Sequence, residues 1–136
     1  MVYIDSNVFV YAVTHDPAMN LKARRAIRVL KEVEEDREEG ETSLLTWDEV
    51  TWVVWKLKGY EVGMRAGAAF LKLQNLTLLP VSSSVMVKAQ QLVDMYQLKP
   101  RDAIHVGSAL LAGEREVVSD DSELDVVREI ARVPLD

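Results

Sequence analysis

The feature that most constrains this chain is an alternation. Short apolar runs rich in β-branched residues are separated by longer stretches in which apolar residues recur at helical spacing. Val2-Tyr3-Ile4 is too short to be anything but a buried strand, and Ser6 or Asn7 can cap the helix that carries Val8, Phe9 and Tyr11. Thr42 to Thr46, Leu76 to Val81 and Val117 to Ser119 read as further strands, and Arg132 to Leu135 can add a last edge strand. Strands alternating with helices of ten or more residues imply βαβ units. The expected fold is therefore α/β, a three-layer α/β/α sandwich with a central, mostly parallel sheet of four to five strands.

Between these runs the helices are legible from their periodicity. Asn20 to Glu39 reads as an amphipathic helix, basic at Lys22, Arg24, Arg25, Arg28 and Lys31, acidic in its second half, and capped at Gly40. Thr46 is expected to cap a helix that begins at Trp47-Asp48-Glu49 and ends at Gly59. With Trp47, Trp52 and Trp55, that helix and the next, Glu61 to Leu73, carry more apolar surface than a small sheet covers. They form either a homodimer or partner face or ordinary core. Pro80 confines the third strand to an edge or a strand end. A helix after Ser82 to Ser84, another from Ala103 to Leu111, and a short one around Leu124 to Ile130 complete the chain.

With 136 residues, one domain spanning 1–136 is expected, large enough to hold a core without staples. No cysteine is present, which excludes a disulfide framework, a thiolate metal site and a cysteine nucleophile, and fits a reducing, cytoplasmic setting. No apolar stretch approaches a membrane span, so no membrane is expected. The net charge of −6 argues against a protein that merely coats nucleic acid. An enzyme that brings positive charge to phosphate on a bound cation escapes that objection.

The functional signal lies in the acids. Asp5 follows the first strand, Asp48 and Glu49 follow the second, Asp102 opens a helix, and Asp120 and Asp121 follow the fourth. Singly, each is explained by helix capping. As a set they can face one crevice at the carboxyl edge of a parallel sheet. Two carboxylates ~4 Å apart repel by about 4 kcal/mol at an effective dielectric of 20, so four together require a cation. Carboxylate oxygens without Cys, and with hardly any His, favour Mg²⁺ or Mn²⁺ over zinc. His105, one turn after Asp102, could be presented toward the crevice but reads first as a buried or packing histidine, and His15 as a loop residue. Lys22, Arg24, Arg25 and Arg101 are candidates for guiding a polyanion.

Asp5-Ser6-Asn7, Glu49 at a helix start, Arg101-Asp102-Ala103-Ile104-His105 and Val118-Ser119-Asp120-Asp121 resemble, in order and separation, the four motifs of the PIN domain. The small single-domain form is similar to VapC-type toxins of toxin–antitoxin pairs. The resemblance implies a metal-dependent endoribonuclease, an RNA substrate and a cognate antitoxin, with Asp5, Glu49, Asp102 and Asp121 as the catalytic and metal-binding acids. Asn7 and Ser119 would orient ligands or phosphate, and Asp120, the variable position of the last motif, could substitute for Asp121 or assist it. Glu49 could bind the cation directly, through water, or act as a base. Where the family often carries an aromatic three residues after the last acid, this chain has Leu124. An aspartate-nucleophile phosphatase would need a second Asp where Asn7 stands. A PIN-like binding module with weak or no catalysis is the alternative from another class.

Overall fold

A computed structural model describes all residues, Met1–Asp136. Five strands form one sheet in the order β3-β2-β1-β4-β5, with every neighbouring pair parallel. The strands are β1 (Val2–Ile4), β2 (Gly40–Ser43), β3 (Leu76–Leu79), β4 (Glu116–Val118) and β5 (Ala131–Val133). The helices are α1 (Ser6–Thr14), α2 (Leu21–Glu34), α3 (Leu45–Lys58), α4 (Tyr60–Phe70), α5 (Ser83–Tyr96) and α6 (Pro100–Leu111), and a 3₁₀ turn spans Ser122–Val126. The expected α/β/α architecture is present, with a wholly parallel sheet.

The side-chain period of two in β1 divides the core. Val2 and Ile4 enter one cluster with Val8, Phe9, Val50 and Phe70, under α1 to α4. Tyr3 enters the other with Leu92, Ala103, Val106 and Leu124, under α5 and α6. Both faces are covered, as an all-parallel sheet requires. β1 lies at the centre, with Val2 opposite Gly40 and Ile4 opposite Val118. Because the chain leaves β1 toward β2 on one side and returns as β4 on the other, the ends of β1 and β4 flank the switch point where open α/β sheets bind ligands.

Several local expectations shift. The second helix stops at Glu34, and the chain turns through Asp36 at φ 60°. Gly40 is not its cap but the first residue of β2, where a Cβ would come 2.6 Å from Val33 Cγ2. That close approach of α2 to the sheet is what requires glycine. Thr46 does not cap α3: it is buried, with its hydroxyl 2.7 Å from Thr42 Oγ1, and Ser43 Oγ accepts from Leu45 N instead. Asp5, rather than Ser6 or Asn7, is the N-cap of α1. Leu124 is completely buried inside the 3₁₀ turn, which is shorter than the helix expected there and lies earlier in the chain. No helix is long and apolar enough to cross a membrane.

Candidate metal centre

Asp5 is nearly buried at the end of β1, and each of its carboxylate oxygens is held. Oδ1 accepts from Ser6 N at 2.8 Å, and Oδ2 accepts from Ser119 Oγ at 2.7 Å and from Asn7 Nδ2 at 3.3 Å. Ser119 is the hub of this network, since its hydroxyl also accepts from Asn7 Nδ2 and from Asp121 N. Asn7 Oδ1 accepts from Asp120 N, so side chains of α1 tie the end of β1 to the loop after β4. The three-residue segment Ser119-Asp120-Asp121 is thereby clamped with its acids at fixed angles.

Those two neighbouring acids go opposite ways. Asp120 meets Lys22 Nζ at 2.9 Å and accepts from Tyr11 OH at 3.0 Å. Asp121 turns to the other side: ligand oxygens of Asp102, Asp121 and Glu123 lie within 4.8 Å of one another. Asp102 gets there from the first turn of α6, after a Pro100 start that sets the helix's entry. Burial, then the charges of Asp121 and Asp5, push its carboxyl up to about 6. Asp5 lies outside this close group, but its charge is among the influences that raise Asp102.

Glu49, one turn into α3, comes to the same crevice by another route. Its Oε1 bonds His105 Nε2, and that nitrogen lies 3.7 Å from Asp5 Oδ1. His105 is 1% exposed, and its Nδ1 is 2.6 Å from Tyr3 OH. Burial opposes a charged imidazole, but the hydrogen bond to Glu49 and the charges of Asp5, Glu49 and Asp102 outweigh it and raise His105 above its ordinary value. Tyr3, buried under the sheet beside Asp5, is raised as well. Arg101 lies at the rim, 3.9 Å from Asp48 and exposed.

Of the residues expected from sequence, Asp5, Asn7 and Ser119 share one hydrogen-bond network that also holds the Asp121 amide, and the Asp102 and Asp121 carboxylates approach each other beside Glu123. His105 Nε2 bonds Glu49 while lying 3.7 Å from Asp5, and Asp5 and Glu49 are not part of the close carboxylate group. Asp120 faces Lys22. Reading the sequence missed Glu123, whose only cue is its place two residues after Asp121, and favoured packing for His105 over its alternative of facing the crevice. His105 is indeed buried, but it spans Tyr3 and Glu49. The donor set fits a hard divalent cation: neither Asp102 nor Asp121 forms an ion pair, because Lys22, Lys99 and Arg101 are engaged by Asp120, Glu123 and Asp48.

The model of the PIN domain family matches residues 2–130. The chain belongs to the PIN domain family. Solved structures of the same fold include a toxin–antitoxin complex from Klebsiella pneumoniae, 18% identical, covering 96% of each chain with a TM-score of 0.70. VapBC2 from Rickettsia felis, bound to a DNA fragment from its promoter, is 16% identical over 98% of each chain, TM-score 0.73. Mycobacterium tuberculosis VapC20, described as a sarcin-ricin-loop-cleaving toxin, is 13% identical, covering 92% of this chain and 93% of that one, TM-score 0.75. A search of curated proteins found no match. At these identities the neighbours establish the shared fold, and the family model establishes membership.

Proposed function

We propose that this PIN domain, spanning 1–136, is a Mg²⁺- or Mn²⁺-dependent endoribonuclease and the toxin of a toxin–antitoxin pair. The observation that carries the reading is the group formed by Asp102, Asp121 and Glu123, which lies in the field of Asp5 and has no lysine or arginine to neutralise Asp102 or Asp121. Family membership supplies the nuclease chemistry, and similar structures described as toxin–antitoxin complexes support the toxin role.

Asp5, Asp102 and Asp121 would hold the cation. Bound there, it would activate water and offset charge building on a phosphodiester in the transition state. The protein's own contribution is orientation. Ser119 and Asn7 fix the Asp5 carboxylate and the loop that presents Asp121. Glu49 offers a carboxylate at the crevice edge. Arg101 stands next to Asp102 in sequence and is exposed, placed to meet the phosphate backbone of an RNA. Asp120 anchors Lys22 at the rim.

A cognate antitoxin would be a peptide crossing this crevice, with a basic side chain against the acids. A homodimer would use the exposed α3–α4 face, where Trp55 packs edge-on against both Trp52 and Tyr60. The decisive experiment is cleavage of a mixed RNA by purified protein with Mn²⁺, beside Asp5→Asn. Wild type should cut, and the variant, folded by circular dichroism, should not. Equal cleavage by both would assign the activity to a contaminant, and Mn²⁺-independent binding without cleavage would favour a binding module.

A further inference from the structure

His105 and Tyr3 are buried titratable side chains beside the crevice to which the nuclease chemistry gives no task, and His105 is the one that reaches the acids. It lies in the middle of α6 between Ala103 and Val106, both of which pack into the core under β1 and β4. Its two ring nitrogens face different partners. On one side Tyr3 OH is 2.6 Å from Nδ1, and Tyr3 Oη itself accepts from Ser43 N at 3.0 Å. With the phenol accepting from that backbone amide, the simplest direction for its own proton is onto Nδ1. With Nδ1 accepting from the phenol, the ring proton is on Nε2, which donates to Glu49 Oε1. Backbone amide, phenol, imidazole and carboxylate form one chain of bonds running from the inside of the sheet to the crevice.

That chain fixes where Glu49 can be. Tyr3 is completely buried and His105 is 1% exposed, so neither ring has room to swing. Glu49 is the outermost link: its side chain is 16% exposed, and Oε2 makes no hydrogen bond within the protein and is not a buried atom. One oxygen is thus committed inward and the other is left open to solvent. The three carboxylates whose oxygens approach within 4.8 Å are Asp102, Asp121 and Glu123, and they include neither Asp5 nor Glu49; what sets Glu49 apart is that its Oε1 is bonded to the His105 imidazole.

We propose that His105, held by Tyr3, is a positioning residue that keeps the Glu49 carboxylate bound to imidazole and outside the cation's direct ligand set, with its free oxygen turned toward the water side of the crevice. This rests on the nuclease reading for its consequence, but the contact itself is tested without cleavage. Glu49 then acts on water or substrate as an oriented acceptor, while Asp5, Asp102 and Asp121 carry the cation. The arrangement also explains why a hydrogen-bonding imidazole occupies a core position flanked by Ile104 and Val106, where an apolar side chain would pack without needing partners.

With two histidines in the chain, the His105 ring nitrogens can be assigned by long-range ¹H–¹⁵N NMR. The expected spectrum shows a hydrogen-bonded Nε2–H that moves in Glu49→Gln and persists when Mg²⁺ saturates the protein. Loss of that bond on adding Mg²⁺ would show Glu49 leaving His105 for the cation, and would overturn the proposal. In kinetics, His105→Leu should lower kcat by about tenfold or more, with the Mn²⁺ Kd from calorimetry within about threefold of wild type. His105→Gln, which keeps a donor near the Nε2 position, should recover most of the loss. In a Glu49→Gln background, His105→Leu should add little further. Additive losses, or a fall in Mn²⁺ affinity as large as that of Asp102→Asn, would place the effect of His105 on the cation ligands instead. If His105→Leu does not fold, Tyr3→Phe removes only the hydroxyl on Nδ1. It should shift the His105 resonances and lower kcat, and no change in either would refute the proposal. A wild type that cleaves no RNA would refute the nuclease reading and leave the NMR result to decide the contact.

Discussion

Asp102→Asn should make the metal-free protein more stable while weakening its uptake of Mn²⁺. Oxygens of Asp102, Asp121 and Glu123 lie within 4.8 Å of one another. At that distance and an effective dielectric of 20, each ionised pair repels by roughly 3.5 kcal/mol. Asp102 is only half buried and Glu123 is exposed, so solvent screening reduces the relief from deleting one charge to about 1–2 kcal/mol. For a domain of this size that corresponds to a rise in Tm of about 4–8 °C. The pH dependence fixes the sign. Folding raises the Asp102 carboxyl from the ordinary 3.8 to about 6, so between those values the folded state binds more protons than the unfolded one. The penalty is absent below the lower value, grows as pH rises, and is complete above the higher one. Thermal unfolding in EDTA should therefore show the variant gaining on wild type from pH 4 to 6 and keeping its full advantage at pH 7.5. Adding Mn²⁺ should reverse the order, since wild type is stabilised by ligand binding and the variant far less. A variant that melts below wild type in EDTA at pH 7.5, or that takes up Mn²⁺ with undiminished affinity, would refute the reasoning.

The adjacent acids after β4 should separate cleanly: Asp121→Asn is expected to reduce both Mn²⁺ affinity and cleavage by about tenfold or more, whereas Asp120→Asn, which breaks contacts to Lys22 and Tyr11, should leave Mn²⁺ affinity within about threefold, both read by calorimetry and initial rates. Gly63→Ala should destabilise the α3–α4 pair by about 1–3 kcal/mol in urea unfolding, because a Cβ there comes 2.7 Å from Trp55 Cα and the two helices must separate. If the exposed aromatic face of those helices closes a homodimer, Trp55→Glu should give a monomer by sedimentation with the fold retained.

The parts of the fold that were legible in sequence are those governed by periodicity. Val2-Tyr3-Ile4 could only be a buried strand, and Asp5 after it could only sit at the sheet's carboxyl edge. The alternation of strands and helices then forced a parallel sheet. Boundaries set by packing were not legible. Gly40 looks like a helix cap, because cap and close-approach glycines are identical in sequence, and only the position of Val33 distinguishes them. The motif resemblance favoured Asp121 and left Asp120 as a candidate substitute; what separates their surroundings, Ser119 holding the loop and Lys22 pairing with Asp120, is not written in the sequence. The site's second layer was hidden for a related reason. A histidine among core residues reads as packing until the partners on its two nitrogens are known, and Tyr3 and Glu49 come from elements far apart in the chain.

The convergence of these acids on one divalent cation is tested most directly by anomalous diffraction from crystals of the protein soaked in Mn²⁺. The expected result is a peak between Asp102 and Asp121, within reach of Asp5, with Glu49 still against His105. Saturated crystals with no peak there, or with Mn²⁺ only on the acidic end of α2, would contradict it.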